Sequence, residues 1–262
     1  MAAEASTGDA TEAGLTAEAS TGEATEAGLA AEKTQWWCAC PVLKVLELSQ
    51  TPLQTGTVVP VPKRGDRIGN GTFGVVYRAS SSDSLVIKAL RFEDPELMIA
   101  EVYALEKGRG HPHIVQLHDV FLAPAQAPMM PPEYCLLLER CDTDLSTLIR
   151  RAKEKGAATP PHQLRRTGSQ ACSAVHHLHS AGILHMDLKP SNILAKFVPG
   201  GSLFDIKVGD LGSCVPADPR ARQNMGAEAL RTKGIQMQTL GFRAPEVLFG
   251  DEAYGPAADS IQ

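Results

Sequence analysis

The chain has 262 residues, 43% hydrophobic and 21% charged, with 25 Lys and Arg against 30 Asp and Glu for a formal net charge of −5. That balance supplies a core and a solvated surface, excludes a strongly basic nucleic-acid binder, and contains no apolar run long enough to span a membrane. The first residues offer no Lys, no Arg and no apolar stretch, so no signal peptide is expected. Six cysteines without framework spacing (Cys38, Cys40, Cys135, Cys141, Cys172, Cys214) read as reduced thiols of an intracellular protein, cytoplasmic or nuclear.

Residues 1–32 hold a near-verbatim duplication, Ala3–Thr16 and Ala17–Ala30, with seven acids and no Lys or Arg, which leaves +2 for the remainder of the chain. Low apolar content and one-sided charge predict a disordered acidic segment, read as a solvated extension before an interaction tail. Residues 33–63 form a linker. Within it, Trp36, Trp37, Val42, Leu43, Val45, Leu46 and Leu48 predict a short element packing on a neighbour, before Pro52, Pro60 and Pro62 punctuate the chain.

From Arg64 the pattern becomes strand, glycine turn, strand: Gly69-Asn70-Gly71-Thr72-Phe73-Gly74 runs into Val75-Val76-Tyr77. Leu85–Leu90 predicts another strand. Glu96–Lys107 predicts a helix, with Leu97, Ala100, Ala104 and Leu105 at helical spacing. Ile114–Leu117 and Tyr134–Leu138 predict two further strands, with Ala123–Pro132 as a loop between them. Asp144 opens a helical stretch, and Leu164, Cys172, Val175 and Leu178 predict the apolar stripe of a second long helix. Ile193–Phe197 and Phe204–Val208 flank Pro199-Gly200-Gly201 as a hairpin.

A glycine-rich turn alone is a weak signal, although glycines do let backbone N–H groups approach phosphate oxygens. The order of motifs is more specific. After the turn come a strand bearing Lys88, a helix bearing Glu101, the stretch His185-Met186-Asp187-Leu188-Lys189-Pro190-Ser191-Asn192, then Asp210-Leu211-Gly212, then Ala244-Pro245-Glu246. This series resembles the signature set of eukaryotic protein kinases of the serine/threonine type over residues 64–262. The resemblance implies an α+β, bilobal fold: a β-rich N-lobe and hinge at 64–141, and a helical C-lobe at 142–262 that is expected to be incomplete. Ala257-Ala258-Asp259-Ser260 resembles the start of the C-lobe's central helix, close to the end of the chain.

The resemblance also implies roles. Asp187 would accept the proton of a substrate hydroxyl, Lys189 would steady the phosphate, and Asn192 and Asp210 would hold Mg2+. Lys88 would neutralise ATP phosphates, oriented by Glu101. The connection between those two residues is short for the family. ATP would lie against Ile68, Gly69, Asn70, Gly71, Thr72, Phe73, Gly74, Val76, Val86, Leu138, Glu139, Cys141 and Leu194, with Leu138 at the gatekeeper position and Glu139-Arg140-Cys141 as the hinge. Leu105, Leu117, His185 and Leu211 would form the apolar column between the lobes.

Lys189, and Thr239 ahead of Ala244-Pro245-Glu246, resemble the serine/threonine pattern, with Thr239 bridging Asp187 and Lys189. Arg243 resembles the CMGC group and implies a preference for Pro after the acceptor. Ile99-Ala100-Glu101 lacks the rest of a cyclin-binding signature, so a cyclin-type partner is not supported. Met186 stands where the family usually has Arg, which implies that phosphorylation of the segment Ser213–Gln238, at Thr232 for instance, is not required. The leading expectation is ATP-dependent phosphorylation of protein Ser/Thr. The alternatives are a truncated, non-catalytic nucleotide- or partner-binding fragment and an interaction module built on the acidic repeats. Neither nucleic acid nor membrane is an expected partner.

Overall fold

β1 (Arg64–Gly71) and β2 (Gly74–Ala79) pair antiparallel around the glycine turn of this computed structural model. It describes residues 62–71, 74–90, 95–124, 132–200, 203–223, 239–250 and 254–260. The acidic repeats, the Trp36-Trp37 segment, Thr72, Phe73 and Thr232 lie outside the described residues. Gly74 is required where it stands, because a Cβ there would run into the carbonyl of Ala89 on the next strand.

β3 (Ser82–Leu90) is the central strand, and its last five residues, Val86 to Leu90, are all buried, Lys88 included. Burial on both faces explains a continuous apolar run in place of alternation. β4 (Leu117–Ala123) and β5 (Glu133–Glu139) complete an antiparallel sheet of order β1-β2-β3-β5-β4. α1 (Pro95–Lys107) starts with Pro at its first position, where no intrahelical N–H is needed. It buries Met98, Val102 and Leu105 in the main core cluster together with Leu136 and Leu138 of β5.

The strand predicted at Ile114–Leu117 is displaced. Ile114 makes an isolated parallel bridge with Val208, and Val115 N–H donates to the Val208 carbonyl at 3.0 Å. Gln116 turns its amide onto the carbonyls of Gly108, His111 and Ile114 at 3.3, 3.1 and 2.8 Å. The bonds of His113 and Val115 to Val208 draw the segment toward the second half of the molecule and the Gln116 amide holds its local turn, so the sheet strand begins only at Leu117 and extends to Ala123.

β6 (Thr143–Asp144) leads into α2 (Leu145–Glu154), capped by Asp144, whose Oδ1 accepts from Thr147 N–H at 2.8 Å. α3 (Pro161–Ser180) ends before β7 (Ile183–Leu184). β8 (Ile193–Phe197) and β9 (Phe204–Val208) form the expected hairpin, with β6 on the free side of β8. β7 pairs with β10 (Val215–Pro216), followed by α4 (Pro219–Gln223) and, further on, α5 (Pro245–Leu248). Leu105, Leu117, His185 and Leu211 are all buried.

The buried stripe of α3 also differs from expectation. Leu178 is buried, but Leu164 is 57% exposed and Cys172 lies on the surface. The inward positions are Gln163, Gln170, Ala171, Ala174 and Leu178. The two glutamines can face inward because β9 offers backbone partners: Gln163 Nε2 donates to the Phe204 carbonyl at 3.1 Å, and Gln170 Oε1 accepts from Ile206 N–H at 3.0 Å. A buried polar group costs little once it is bonded, which Gln170 achieves with both amide atoms, whereas Gln163 Oε1 finds no partner among the described residues.

Gln170→Met is therefore expected to destabilise the chain by about 2 kcal/mol, because it strands the Ile206 N–H. Leu164→Ala is expected to cost less than about 0.5 kcal/mol, as for a surface position. Denaturant unfolding of the two variants measures the order, and the reverse order would overturn this assignment of the helix face.

Candidate active site

Lys88 leaves β3 inside the sheet, and its ammonium reaches residues far apart in sequence. Its Nζ donates to Glu101 Oε1 of α1 at 2.6 Å and to Asp210 Oδ1 at 2.7 Å, 122 residues further along the chain. Lys88 and Glu101 are both buried. Burial alone pulls the Lys88 ammonium down, but Glu101 and Asp210 outweigh it and hold it above the ordinary lysine value. Burial likewise pushes the Asp210 carboxyl up, and the adjoining Lys88 ammonium reverses this and holds it below the ordinary carboxylate value. Asp210 takes a left-handed backbone with φ of 55°, a conformation that costs a non-glycine residue energy and persists only where its surroundings fix it.

The loop between β7 and β8 supplies the other half. The Asp187 carboxylate accepts four hydrogen bonds. Oδ2 takes Lys189 Nζ at 2.7 Å and Asn192 Nδ2 at 3.0 Å, while Oδ1 takes Thr239 N–H and Thr239 Oγ1, each at 3.1 Å. Lys189 Nζ also donates to Thr239 Oγ1 at 2.8 Å, so Thr239 sits between the two. Asn192 Nδ2 also donates to the Asp187 carbonyl at 2.8 Å. His185 Nε2 lies 3.1 Å from the Gly209 carbonyl, and its Nδ1 accepts from Asp187 N–H at 3.2 Å. A carbonyl can only accept, so these two bonds assign the proton to Nε2. The imidazole thereby ties the Asp187 loop to the residue just before Asp210. Gly209 is confined there, since a Cβ would meet Val115 Cγ2 at 3.0 Å and Leu194 Cδ1 at 3.3 Å.

Between these halves lies an apolar set drawn from separate strands. Val86 faces Leu138 across β3 and β5, both are buried, and Val76 of β2 and Leu194 of β8 pack against the same cluster. Ile68 and Gly69 of β1 lie beyond them, with Ile68 46% exposed. Asn70 and Gly71 close the same strand. After β5 the Glu139 side chain turns aside, accepting from Gln116 N–H at 2.9 Å and from Lys207 Nζ at 2.7 Å. The backbone N–H of Cys141 has no hydrogen-bond partner among the described residues. Burial, with a smaller contribution from Glu139, pushes the Cys141 thiol up to about 12, so at neutral pH it is a thiol and not a nucleophilic thiolate.

No group of three or more His, Cys, Asp or Glu among the described residues is arranged to hold a metal. Magnesium makes little demand of that kind, since it is held by one or two carboxylates and completed by phosphate oxygens and water. Asp210, which already attracts the Lys88 ammonium, and Asn192, whose Nδ2 is taken up by Asp187, each offer a side-chain oxygen, a hard donor of the right type, so the residues present fit that ion.

One residue of the assembly was not legible as such in the sequence. Asp259 is buried, accepts Met186 N–H at 2.7 Å through Oδ1 and His185 N–H at 2.6 Å through Oδ2, and lies 2.9 Å from His179 Nε2. A single Asp in an Ala-Ala-Asp-Ser run gives no chemical sign of this. The likeness of that run to the start of a kinase central helix was the one available pointer.

Comparison with known proteins agrees with this geometry. The family model described as protein kinase domain matches residues 63–260. The chain is 34% identical over 204 residues to cell division control protein 2 homolog D of Antirrhinum majus, covering 74% of this chain and 60% of that protein. It is 30% identical over 202 residues to cyclin-dependent kinase B2-1 of Arabidopsis thaliana, again covering 74% of this chain and 60% of that protein. It thus spans about 60% of the length of such relatives. Both are kinases of the CMGC type that Arg243 suggested. With its motifs in order and the family model matched across both halves of the cleft, the chain belongs to the protein kinase domain family.

Proposed function

We propose that this chain transfers the γ-phosphoryl group of ATP to a Ser or Thr hydroxyl of a protein. The observation that carries the reading is the meeting of Lys88 with both Glu101 and Asp210, which joins the strand-rich half to the half bearing Asp187. The adenine lies among Val76, Val86, Leu138 and Leu194, with the unbonded Cys141 N–H supplying one hydrogen bond at the hinge. Ile68, Gly69, Asn70, Gly71, Thr72, Phe73 and Gly74 cover the phosphates, where glycine permits close backbone approach. Lys88, held by Glu101, neutralises phosphate charge. Asn192 and Asp210 would hold Mg2+, which when bound screens the phosphate oxygens and favours departure of ADP.

The acceptor hydroxyl oxygen attacks the γ-phosphorus, the bond from that phosphorus to the β-phosphate oxygen breaks, and Asp187 takes the hydroxyl proton. Lys189 lies beside the transferring group, and Thr239 fixes Lys189 and Asp187 relative to each other. Little covalent work falls to the protein, so positioning and charge account for most of the rate. A transfer assay on a mixed Ser/Thr peptide library tests the reading, with Asp187→Asn as the control. Binding of ATP without transfer would favour a non-catalytic nucleotide-binding protein.

Lys88→Met is expected to lower transfer by at least a hundredfold, about 2.7 kcal/mol of barrier, while circular dichroism stays that of the parent. Turnover near the parental rate would remove Lys88 from phosphate handling.

Arg243 follows the short turn Leu240–Phe242 in extended backbone, immediately before buried Ala244. On its resemblance to the CMGC group we assign it a preference for Pro just after the acceptor. Enrichment of Pro at that position in phosphorylated library peptides is the expected result, and a flat distribution would oppose it.

Met186 is fully buried, packed with Leu184, Val215, Ala244, Tyr254 and Ala258. It offers no charge to a phosphate. Arg222, near the same cluster, is committed to the carbonyls of Pro216, Ala217 and Tyr254 at 2.9, 3.2 and 2.8 Å, with its guanidinium carbon 4.2 Å from the Tyr254 ring centroid. The described part of the segment after Asp210, up to residue 223, is thus anchored by apolar packing and backbone bonds. Phosphatase treatment and Thr232→Ala are each expected to leave activity within about threefold, under 1 kcal/mol of barrier. A hundredfold loss in both would show that a phosphate is needed.

A further inference from the structure

Three histidines meet where the connection between α1 and β4 crosses to the second half of the molecule. His111 and His113 lie on that connection, and His177 belongs to α3. The His111 and His177 rings are 4.7 Å apart at 31°, and the His113 ring stands edge-on to His111 at 5.8 Å. Each ring is bonded. His177 Nε2 donates to the Lys107 carbonyl at the end of α1 at 2.9 Å, and His113 Nδ1 donates to the Ile206 carbonyl of β9 at 3.2 Å. His111 is placed differently: its Nδ1 accepts from His113 N–H at 3.2 Å, and its Nε2 lies 3.3 Å from Ser173 Oγ of α3. A backbone N–H can only donate, so the His111 proton belongs on Nε2, where it meets Ser173, and Nδ1 is occupied as an acceptor.

A second proton on His111 has one place to go, Nδ1, and there it would point at the His113 N–H. The bond would be lost and two donors would face each other. The new charge would also stand beside His177, His113 and the Lys207 ammonium of β9. Carboxylates do not compensate. α3 contains no Asp or Glu, and those of the flanking elements are engaged: Glu101 by Lys88, Glu106 by Arg109, Asp205 by Arg166 and Gln170, and Glu139 by Lys207. What remains of the Asp205 charge acts on His113. Of the other cations nearby, Lys107 turns onto the Tyr103 ring, and His176 lies exposed on α3. Burial, with His177, His113 and Lys207 adding to it, accordingly holds the His111 imidazole below the ordinary histidine value.

We propose that His111 is a proton-operated latch: neutral, it holds the α1–β4 connection onto α3, and on taking up a proton it lets go. The bonds of His113 and Val115 to Val208 need no imidazole, so release is confined to residues 108–113, at the foot of the helix that carries Glu101. A folded state that resists a proton loses stability as pH falls below the value of an unfolded histidine, about 6.5, so the latch is closed above that pH and opens below it. The contact lies outside the cleft and its readouts do not involve phosphoryl transfer, so the latch stands or falls apart from the proposed activity.

Histidine resonances of the full-length protein, assigned by through-bond connectivity, are expected to show His111 protonated on Nε2 alone at about pH 7.5 and titrating below about 6.5. Deuterium uptake read by mass spectrometry, corrected for the intrinsic effect of pH on exchange, is expected to show protection of residues 108–113 falling about tenfold between roughly pH 7.5 and pH 5, with β2 and β3 unchanged. His111→Gln keeps a neutral donor and acceptor at this position, and is expected to hold its protection within about threefold over the same range. Should that variant not fold, the two measurements on the parent decide the matter. An Nδ1-protonated His111, a midpoint at or above the ordinary value, undiminished protection in acid, or an equal loss in the parent and His111→Gln would each overturn the latch.

Discussion

A buried carboxylate holds the loop that carries Asp187, Lys189 and Asn192. Asp259 accepts the consecutive amides of His185 and Met186, and Met186 adopts a left-handed backbone with φ of 61°. A methionine does not take that conformation cheaply. Two charge-assisted bonds to a desolvated acceptor are strong enough to impose it. With the backbone turned there, His185 faces back toward Gly209, and Asp187 emerges next to Lys189 and Asn192. Removing Asp259 would leave two buried N–H groups unpaired and release a strained turn, so the geometry of the whole loop rests on one side chain.

Across the cleft, charge is managed by mutual compensation. An isolated buried ammonium or carboxylate is costly, and each of Lys88, Glu101 and Asp210 is tolerated because the others are near. The arrangement is one cation between two anions, so the cluster carries a net negative charge. A neutral pair would lack that excess.

What the sequence made legible follows how local the cause is. Glycine spacing, the Lys88 strand and the hairpin around Pro199-Gly200-Gly201 arise from neighbouring residues and match the structure closely. Glu101 was separable from Glu96 and Glu106 only by its place in the family pattern, and the 2.6 Å contact with Lys88 now distinguishes it physically. The displaced strand near Ile114 and the shifted stripe of α3, which keeps Val175 and Leu178 in the core but not Leu164 and Cys172, have non-local causes. Val115 N–H donates to the Val208 carbonyl, 93 residues on, and Gln170 Oε1 accepts from Ile206 N–H of β9, 36 residues on. Polar residues read from a sequence look like surface, and nothing in the local pattern reveals that a remote strand offers them partners.

The bonds from Asp259 also carry a consequence for biosynthesis. They connect residues 74 and 73 apart in sequence. During translation the loop bearing Asp187 leaves the ribosome well before its anchor, by about 4 to 15 s at common elongation rates. Through that interval the β7–β10 pairing and the hairpin of β8 and β9 can form, but the turn at Met186 has nothing to impose its left-handed backbone. The nascent chain therefore passes through a period in which its strand-rich half has emerged while the loop bearing Asp187 is still unset, and a chaperone would meet it in that form.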